Sequence, residues 1–206
     1  MKSIFKLVGI LLLFTLILGF SVTPAAVGQQ VDEAAPEFTL MASDGNEHSL
    51  SDFEGQVVVL EWLNHDCPFV RKFYGAGEMQ RLQETYTDEG VVWLSIISSA
   101  PGKQGHLSPA GINEAIEEHG SRQTAVLIDE DGDVGRSYNA RTTPHMFVID
   151  AEGILRYDGA IDDQPSANPA TIEGAENYVV QALDAVLNGN EVALGTTRPY
   201  GCSVKY

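Results

Sequence analysis

Cys67 is the residue whose sequence context most clearly predicts chemistry. It lies in the segment WLNHDCPFVRK (residues 62–72), directly after the apolar run 57–60 and immediately before Pro68. Proline suits the first position of a helix, so the pattern predicts a buried strand that ends where a helix begins. The positive end of a helix favours a thiolate, and we therefore expect Cys67 to be a nucleophilic sulfur. The alternative is a small, buried, inert side chain.

The second cysteine is remote in sequence. A local redox pair would need a cysteine three positions after Cys67, where the chain has Val70, and the only other cysteine is Cys202, close to the C-terminus. Three roles remain open for Cys202: a resolving cysteine for Cys67, a static structural disulfide with Cys67, or a link between molecules. The segment after Leu187 is long enough to return across the fold.

Polar residues near Cys67 complete the candidate site. Arg71 lies one helical turn after Cys67 on the same predicted face, and His65 and Asp66 are the nearest candidates for a proton relay. Cys67, His65 and His145 would also suit copper or zinc if they converged. We favour a site without metal or any other cofactor.

Alternating strands and helices are predicted to position these residues. Strands are expected at 36–40, 47–50, 57–62, 91–97, 124–128, 145–150 and 154–157, and helices at 67–87, 111–119 and 172–187, the first weakened by Gly75 and Gly77. The order predicts an α/β fold with a central mixed sheet, flanking helices and an N-terminal β-hairpin extension. Cys67 is then at the carboxyl end of a central strand, where open α/β sheets carry their sites.

The N-terminus and the charge restrict location and partners. Residues 1–28 have the pattern of a signal peptide, with Lys2 and Lys6, an apolar run at 7–20 and a small-residue cleavage site at 26–28. We expect a protein that is exported to the periplasm or the extracellular space, and the alternative is an uncleaved N-terminal membrane anchor. The net charge of −17 argues against nucleic acid as a partner.

Several motifs resemble one family. The segments LSDFEGQVVVL (50–60), DEDGDV (129–134) and TTPHMFVID (142–150) are similar to those of redoxins of the AhpC/TSA type, a branch of the thioredoxin-like superfamily. The resemblance covers about residues 35–187. NHDCPFV (64–70) and GCSVKY (201–206) are most similar to the peroxiredoxin-like group. The resemblance implies a thioredoxin-like fold in which Pro144 follows a cis peptide bond and faces Cys67.

The chain departs from both better-known branches. Val70 replaces the second cysteine of the thioredoxin pattern. Asn64 stands where peroxiredoxins have threonine or serine, and Pro144 aligns with their arginine. Peroxide reduction needs a cation that polarises the O–O bond, and Arg71 and Arg141 are the candidates to supply it.

We expect a signal peptide at 1–28, a redoxin domain at 33–190 and a C-terminal segment at 191–206 that carries Cys202. Cys67 and Cys202 are the expected catalytic residues. Five residues are expected to position substrate: Asn64, Pro68, Arg71, Thr143 and Pro144. Thr143 and Pro144 would form the wall opposite Cys67 and offer backbone groups to a substrate.

The function implied is that of an exported thiol-dependent oxidoreductase. It would act by thiol-disulfide exchange or by peroxide reduction, with a thiol or disulfide protein, or a peroxide, as its partner. The alternative is a non-catalytic binding module of the redoxin fold in which Cys67 and Cys202 form a structural disulfide.

Overall fold

A computed structural model describes residues 30–206 of the chain. The expected signal peptide at 1–28 lies outside the described residues. From residue 30 onward, no helix has the length and apolar character needed to cross a bilayer.

The secondary structure follows the predicted alternation. The strands are β1 (Thr39–Ala42), β2 (Glu47–Ser49), β3 (Val58–Trp62), β4 (Val92–Ile97), β5 (Ala125–Ile128), β6 (Thr142–Thr143), β7 (His145–Ile149), β8 (Leu155–Gly159) and β9 (Cys202–Ser203). The helices are α1 (Pro68–Gly75), α2 (Glu78–Asp88), α3 (Pro109–His119), α4 (Asp133–Ser137) and α5 (Tyr178–Leu187). Short 3-10 helices span Leu50–Phe53 and Pro169–Thr171.

The strands form a mixed sheet with β3 in its interior. The order is β2-β1-β5-β4-β3-β7-β8, and a separate small sheet contains β6 and β9. Strand β3 runs parallel to β4 and antiparallel to β7. The predicted α/β architecture is confirmed. The N-terminal hairpin of β1 and β2 extends this sheet, since β1 pairs with β5.

The central strands are buried on both faces, as their continuous apolar sequences predict. Every residue of β3 and β4 is buried. Val59 and Trp93 belong to one core cluster, whereas Leu60 and Trp62 belong to a second. Each large apolar side chain buried in this way contributes about 1.5–3 kcal/mol. The carboxyl end of β3 is therefore a rigid platform for the residues that follow it.

Two predicted helices differ in the structure. The predicted helix at 67–87 is two helices, and Gly77 at φ +75°, one of the two glycines expected to weaken it, separates them. The prediction of a helix from residue 172 is wrong at its start. Asn177 caps α5 through its side chain, which accepts a hydrogen bond from the Val180 N–H, and Gly174 before it has φ +79°. A capped start at Asn177 defines the helix more strongly than the apolar spacing before it.

A buried carboxylate interrupts the apolar face of β3. Glu61 has no exposed surface, and its oxygens accept hydrogen bonds from four side chains, those of Tyr74, Gln83, Trp93 and Ser95. Burial raises the pKa of Glu61. This network joins β3, β4, α1 and α2 behind the segment that carries Cys67.

Candidate active site

Cys67 lies where the sequence predicted, between β3 and α1. It is the residue before the first turn of α1, and Pro68 occupies the first helical position. Its residue surface is 0% exposed. The strand-to-helix junction thus points a thiol at the carboxyl edge of the sheet and also removes it from solvent.

The last residues of the chain, 199–206, cover this thiol, and from here on this shorter segment is the tail. Within it, β9 pairs antiparallel with β6, so that Cys202 is opposite Thr143 and Ser203 is opposite Thr142. The pairing needs glycine at position 201, because the backbone there has φ +149°. A Cβ atom there would lie 2.1 Å from the Thr143 carbonyl oxygen.

The tail brings the two cysteines into contact. Their Sγ atoms lie 2.7 Å apart, and both are free thiols. The Cys67 Sγ is also 2.9 Å from the carbonyl oxygen of Thr143, and the backbone N–H of Cys202 donates to it at 3.4 Å. Two residues that are 135 positions apart in the sequence are therefore in atomic contact.

The two thiols have opposite acidities. Burial opposes ionisation of Cys67, but hydrogen bonds from the thiol and backbone N–H of Cys202, and from the N–H groups of Val70 and Phe69, lower its pKa below the ordinary value. Burial and the adjacent Cys67 raise the pKa of Cys202 to about 11. When one proton leaves the pair, Cys67 is therefore the thiolate and Cys202 the thiol.

A buried charged cluster holds the tail just before Cys202. The Lys72 ammonium donates to the Asp162 carboxylate at 2.9 Å, to the Gln164 carbonyl at 3.0 Å and to the Tyr200 hydroxyl at 3.2 Å. The Tyr200 hydroxyl also donates to Asp162, and the Tyr200 ring packs edge-on against Phe69 of α1. The side chains of Lys72 and Asp162 are 0% and 2% exposed.

A second anchor holds the tail after Cys202. The Tyr206 hydroxyl donates to the Ala140 carbonyl. The Tyr206 side chain lies so close to Gly132 and Gly135 that a Cβ atom at either glycine would fall 2.3 Å from it. The Arg136 guanidinium stacks over the Tyr206 ring. The backbone between the anchors also bonds to the domain, through Val204 to Arg141.

The predicted substrate wall is already occupied. The Thr143–Pro144 peptide bond is cis, as the family resemblance implies. The backbone groups of Thr143 that were expected to face a substrate pair with β9 instead. In this structure the tail of the chain itself takes the place that the sequence assigned to a partner.

Three other predicted positioning residues do not face the sulfur pair. The Asn64 side chain is buried and shapes its own loop, since it donates to the Gln104 carbonyl and accepts from the Asp66 N–H. Pro68 is exposed at the start of α1. Arg71 donates to the His65 carbonyl and to the Asp66 carboxylate, so its guanidinium is directed along its own loop.

Cys67, His65 and His145, the residues considered for a metal, are not brought together in the structure. Among residues 30–206, no three histidine, cysteine, aspartate or glutamate side chains converge closely enough to hold an ion. His145 is buried and bonds to Asp158 at 2.6 Å. His65 stacks on His119, and burial and this neighbour lower the pKa of His65 to about 4.

Sequence reasoning missed the residues that hold the tail. Lys72 follows an arginine near the start of a helix, which is a pattern typical of a solvated face. Tyr200 lies two residues before Cys202 and Tyr206 four residues after it, and this was the available signal. Aromatic residues on both sides of a terminal cysteine indicate a segment that packs against the domain.

The chain is similar in sequence to one protein family and to named proteins. The AhpC/TSA family model matches residues 31–158. The thioredoxin-like protein YneN of Bacillus subtilis (strain 168) is 27% identical over 130 residues, which cover 63% of this chain and 71% of that protein. The thiol-disulfide oxidoreductase ResA of Geobacillus kaustophilus (strain HTA426) is 29% identical over 144 residues, covering 69% and 75%.

A solved structure shares the fold over most of the chain. The crystal structure of an uncharacterized conserved protein from Geobacillus kaustophilus superimposes with a TM-score of 0.75 at 29% identity, covering 86% of this chain and 92% of the other. The chain belongs to the AhpC/TSA family, the redoxin branch of the thioredoxin-like superfamily, and is an oxidoreductase.

Proposed function

We propose that this protein is a thiol-disulfide oxidoreductase in which Cys67 is the nucleophile and Cys202 is its redox partner. The observation that carries the proposal is the contact of the two Sγ atoms at 2.7 Å. The lowered pKa of Cys67 and the raised pKa of Cys202 support the same assignment. Relatives at 27% and 29% identity are named as a thioredoxin-like protein and a thiol-disulfide oxidoreductase.

The reaction transfers two electrons. The reduced protein and a partner disulfide give the Cys67–Cys202 disulfide and two partner thiols, and the reverse reaction oxidises a partner dithiol. Contact between the sulfurs lets the internal bond form without a collision between molecules, which is the advantage of an intramolecular thiol.

Disulfide exchange agrees with the geometry better than peroxide reduction does. Peroxide reduction needs a cation beside the reacting sulfur. Arg71 is engaged by His65 and Asp66, and Arg141 is an exposed residue. The Cys67 thiol contacts Thr143 and Cys202, and neither arginine side chain hydrogen-bonds to it.

We also propose that the reaction takes place outside the cytoplasm. The support is the signal-peptide pattern at residues 1–28, and disulfides persist in exported proteins. Fractionation of cells that express the full chain tests this. Protein found only in the cytoplasm would contradict it.

The test of function follows the mass and thiol content of the protein in glutathione buffers of graded ratio. In the wild type we expect a reversible loss of two thiols without the added mass of glutathione. Cys67→Ser and Cys202→Ser can each lose only one thiol, and only with the added mass of glutathione. Hydrogen peroxide consumed faster than by a free thiol would favour a peroxidase. A disulfide that forms once and resists reduction would favour the non-catalytic binding module.

A further inference from the structure

We infer that a partner protein exchanges its sulfur at Cys202, with Cys67 acting behind it as the intramolecular nucleophile and leaving group. This inference rests on the proposed redox couple and assigns the order of its steps. It reverses the roles expected from the sequence, in which Cys67 meets the partner and Cys202 resolves the intermediate. The structure assigns the order through three features: access, direction of attack and leaving-group acidity.

Access differs between the two sulfurs. Cys67 is 0% exposed, whereas Cys202 is partly exposed. The cover over Cys67 is anchored on both sides, by Tyr200 in the Lys72 cluster and by Tyr206 against Gly135, and β9 pairs with β6 between them. Because the tail is held at both ends and in the middle, the closed arrangement is the one that a partner meets.

The direction of attack gives the same answer. A thiolate displaces one sulfur of a disulfide along the line of the S–S bond. Attack on Cys67 would therefore have to come from the side opposite Cys202, but Cys67 is fully buried in the core cluster that contains Leu63, Val70 and Phe73. Attack on Cys202 would come from the side opposite Cys67, and Cys202 is the partly exposed residue of the pair.

The acidities make Cys67 the better leaving group. The thiol of lower pKa leaves faster in exchange. Cys67 has its pKa lowered by Cys202 and by the N–H groups at the start of α1, after the opposing effect of burial. The pKa of Cys202 is raised to about 11. Expulsion of the Cys67 thiolate is therefore favoured over expulsion of the Cys202 thiolate.

The oxidised protein oxidises a partner dithiol in two exchange steps. One partner thiolate attacks the Cys202 sulfur, the Cys67–Cys202 bond breaks, and Cys67 leaves with the electron pair. The second partner thiolate then attacks the first partner sulfur, which forms the partner disulfide and releases Cys202. Cys202 takes a proton from solvent and shares it with Cys67. The protein gains two electrons, and the partner loses two.

Oxidation of the reduced protein follows the same path backwards. Cys67 accepts the Cys202 proton, Cys202 attacks the partner disulfide, and one partner thiolate leaves. Cys67 then passes this proton to the departed partner thiolate, attacks the Cys202 sulfur and expels the second partner thiolate. Every mixed disulfide with a partner is on Cys202.

A trapping experiment on the oxidised full chain tests this order. The Cys67–Cys202 protein is mixed with reduced glutathione, quenched in acid, and alkylated at its freed thiols. Trypsin separates the two cysteines into peptides that end at Arg71 and at Lys205. We expect glutathione on the peptide ending at Lys205 and the alkyl group on the peptide ending at Arg71. The opposite distribution would overturn the inference.

Single-cysteine variants give an independent measurement. With an aromatic disulfide reagent, Cys67 in Cys202→Ser is expected to react roughly tenfold or more slowly than Cys202 in Cys67→Ser, since it reacts only when the tail opens. Adding Gly201→Ala to Cys202→Ser should displace the tail and speed the reaction of Cys67. A fast Cys67 in Cys202→Ser alone would overturn the inference.

The two proposals fail in different ways. If no reversible Cys67–Cys202 disulfide forms in glutathione buffers, the proposed function fails before any trapping is done. If the disulfide forms and glutathione is found on Cys67, the function stands and the order of steps is wrong.

Discussion

Replacing Asp162 by asparagine is the sharpest test of how the tail is held. The change keeps the side-chain shape and removes one charge of a pair that is 0% and 2% exposed, so water cannot replace the lost interaction. The Lys72 ammonium keeps the Gln164 carbonyl and the Tyr200 hydroxyl but loses its counter-charge. Breaking one side of a buried ion pair costs about 3–5 kcal/mol of unfolding free energy. That is a large fraction of the roughly 5–15 kcal/mol available to a domain.

Urea denaturation measures this loss against a matched control. Glu78→Gln removes an ion pair with Arg81, whose side chain is 56% exposed, and we expect a change below about 1 kcal/mol. The double change Lys72→Met with Asp162→Leu removes both charges and should be more stable than Asp162→Asn alone, because no charge is left buried and unpaired. An Asp162→Asn variant that loses no more than the Glu78→Gln control would refute the reasoning.

The same variant tests the positioning of the sulfur. Tyr200 lies two residues before Cys202, so loosening its anchor should lower the fraction of Cys67–Cys202 disulfide at a given glutathione ratio. An unchanged equilibrium alongside a loss of stability would show that the cluster supports the fold without positioning the tail.

Three further predictions concern the tail, the thiols and a histidine. Gly201→Ala should lower the effective concentration of Cys202 at Cys67 by roughly tenfold or more, because its Cβ meets the backbone of β6. Gly45→Ala, also at positive φ but with open space around it, is the control and should leave that equilibrium unchanged. In the reduced protein, ultraviolet absorbance should show one thiolate forming at a pH below the ordinary cysteine value and a second near pH 11. Ionisation of both thiols in one step would contradict the lowered pKa of Cys67 and the raised pKa of Cys202. The pKa of His65 is lowered to about 4 in the folded protein. Below about pH 6.5 the His65 imidazole therefore binds a proton in the unfolded chain, whereas in the folded protein it stays neutral until about pH 4. As the pH falls through that range, the wild type should lose up to about 3 kcal/mol of unfolding free energy relative to His65→Gln. The same difference in unfolding free energy between the two proteins at pH 7 and at pH 4 would contradict this.

The central fold and the place of Cys67 were predictable because they depend on local patterns. The apolar runs at β3 and β4 have no alternation, which is typical of strands buried on both faces. Pro68 after Cys67 marks a helix start whichever partner the helix packs against. The start of α5 was not predictable in the same way, since the cap at Asn177 lies within a longer apolar spacing.

The sequence by itself determined a nucleophilic cysteine at the carboxyl end of a central strand, with Val70 in place of a neighbouring second thiol. Tertiary structure alone decided that Cys202 contacts Cys67, that Lys72 is buried and that the tail covers the wall formed by Thr143. The physical reason is that these contacts join segments far apart in the chain. Their free energy depends on pairing between β6 and β9 and on charges that meet only after the sheet has formed, and neither leaves a periodic pattern along the sequence.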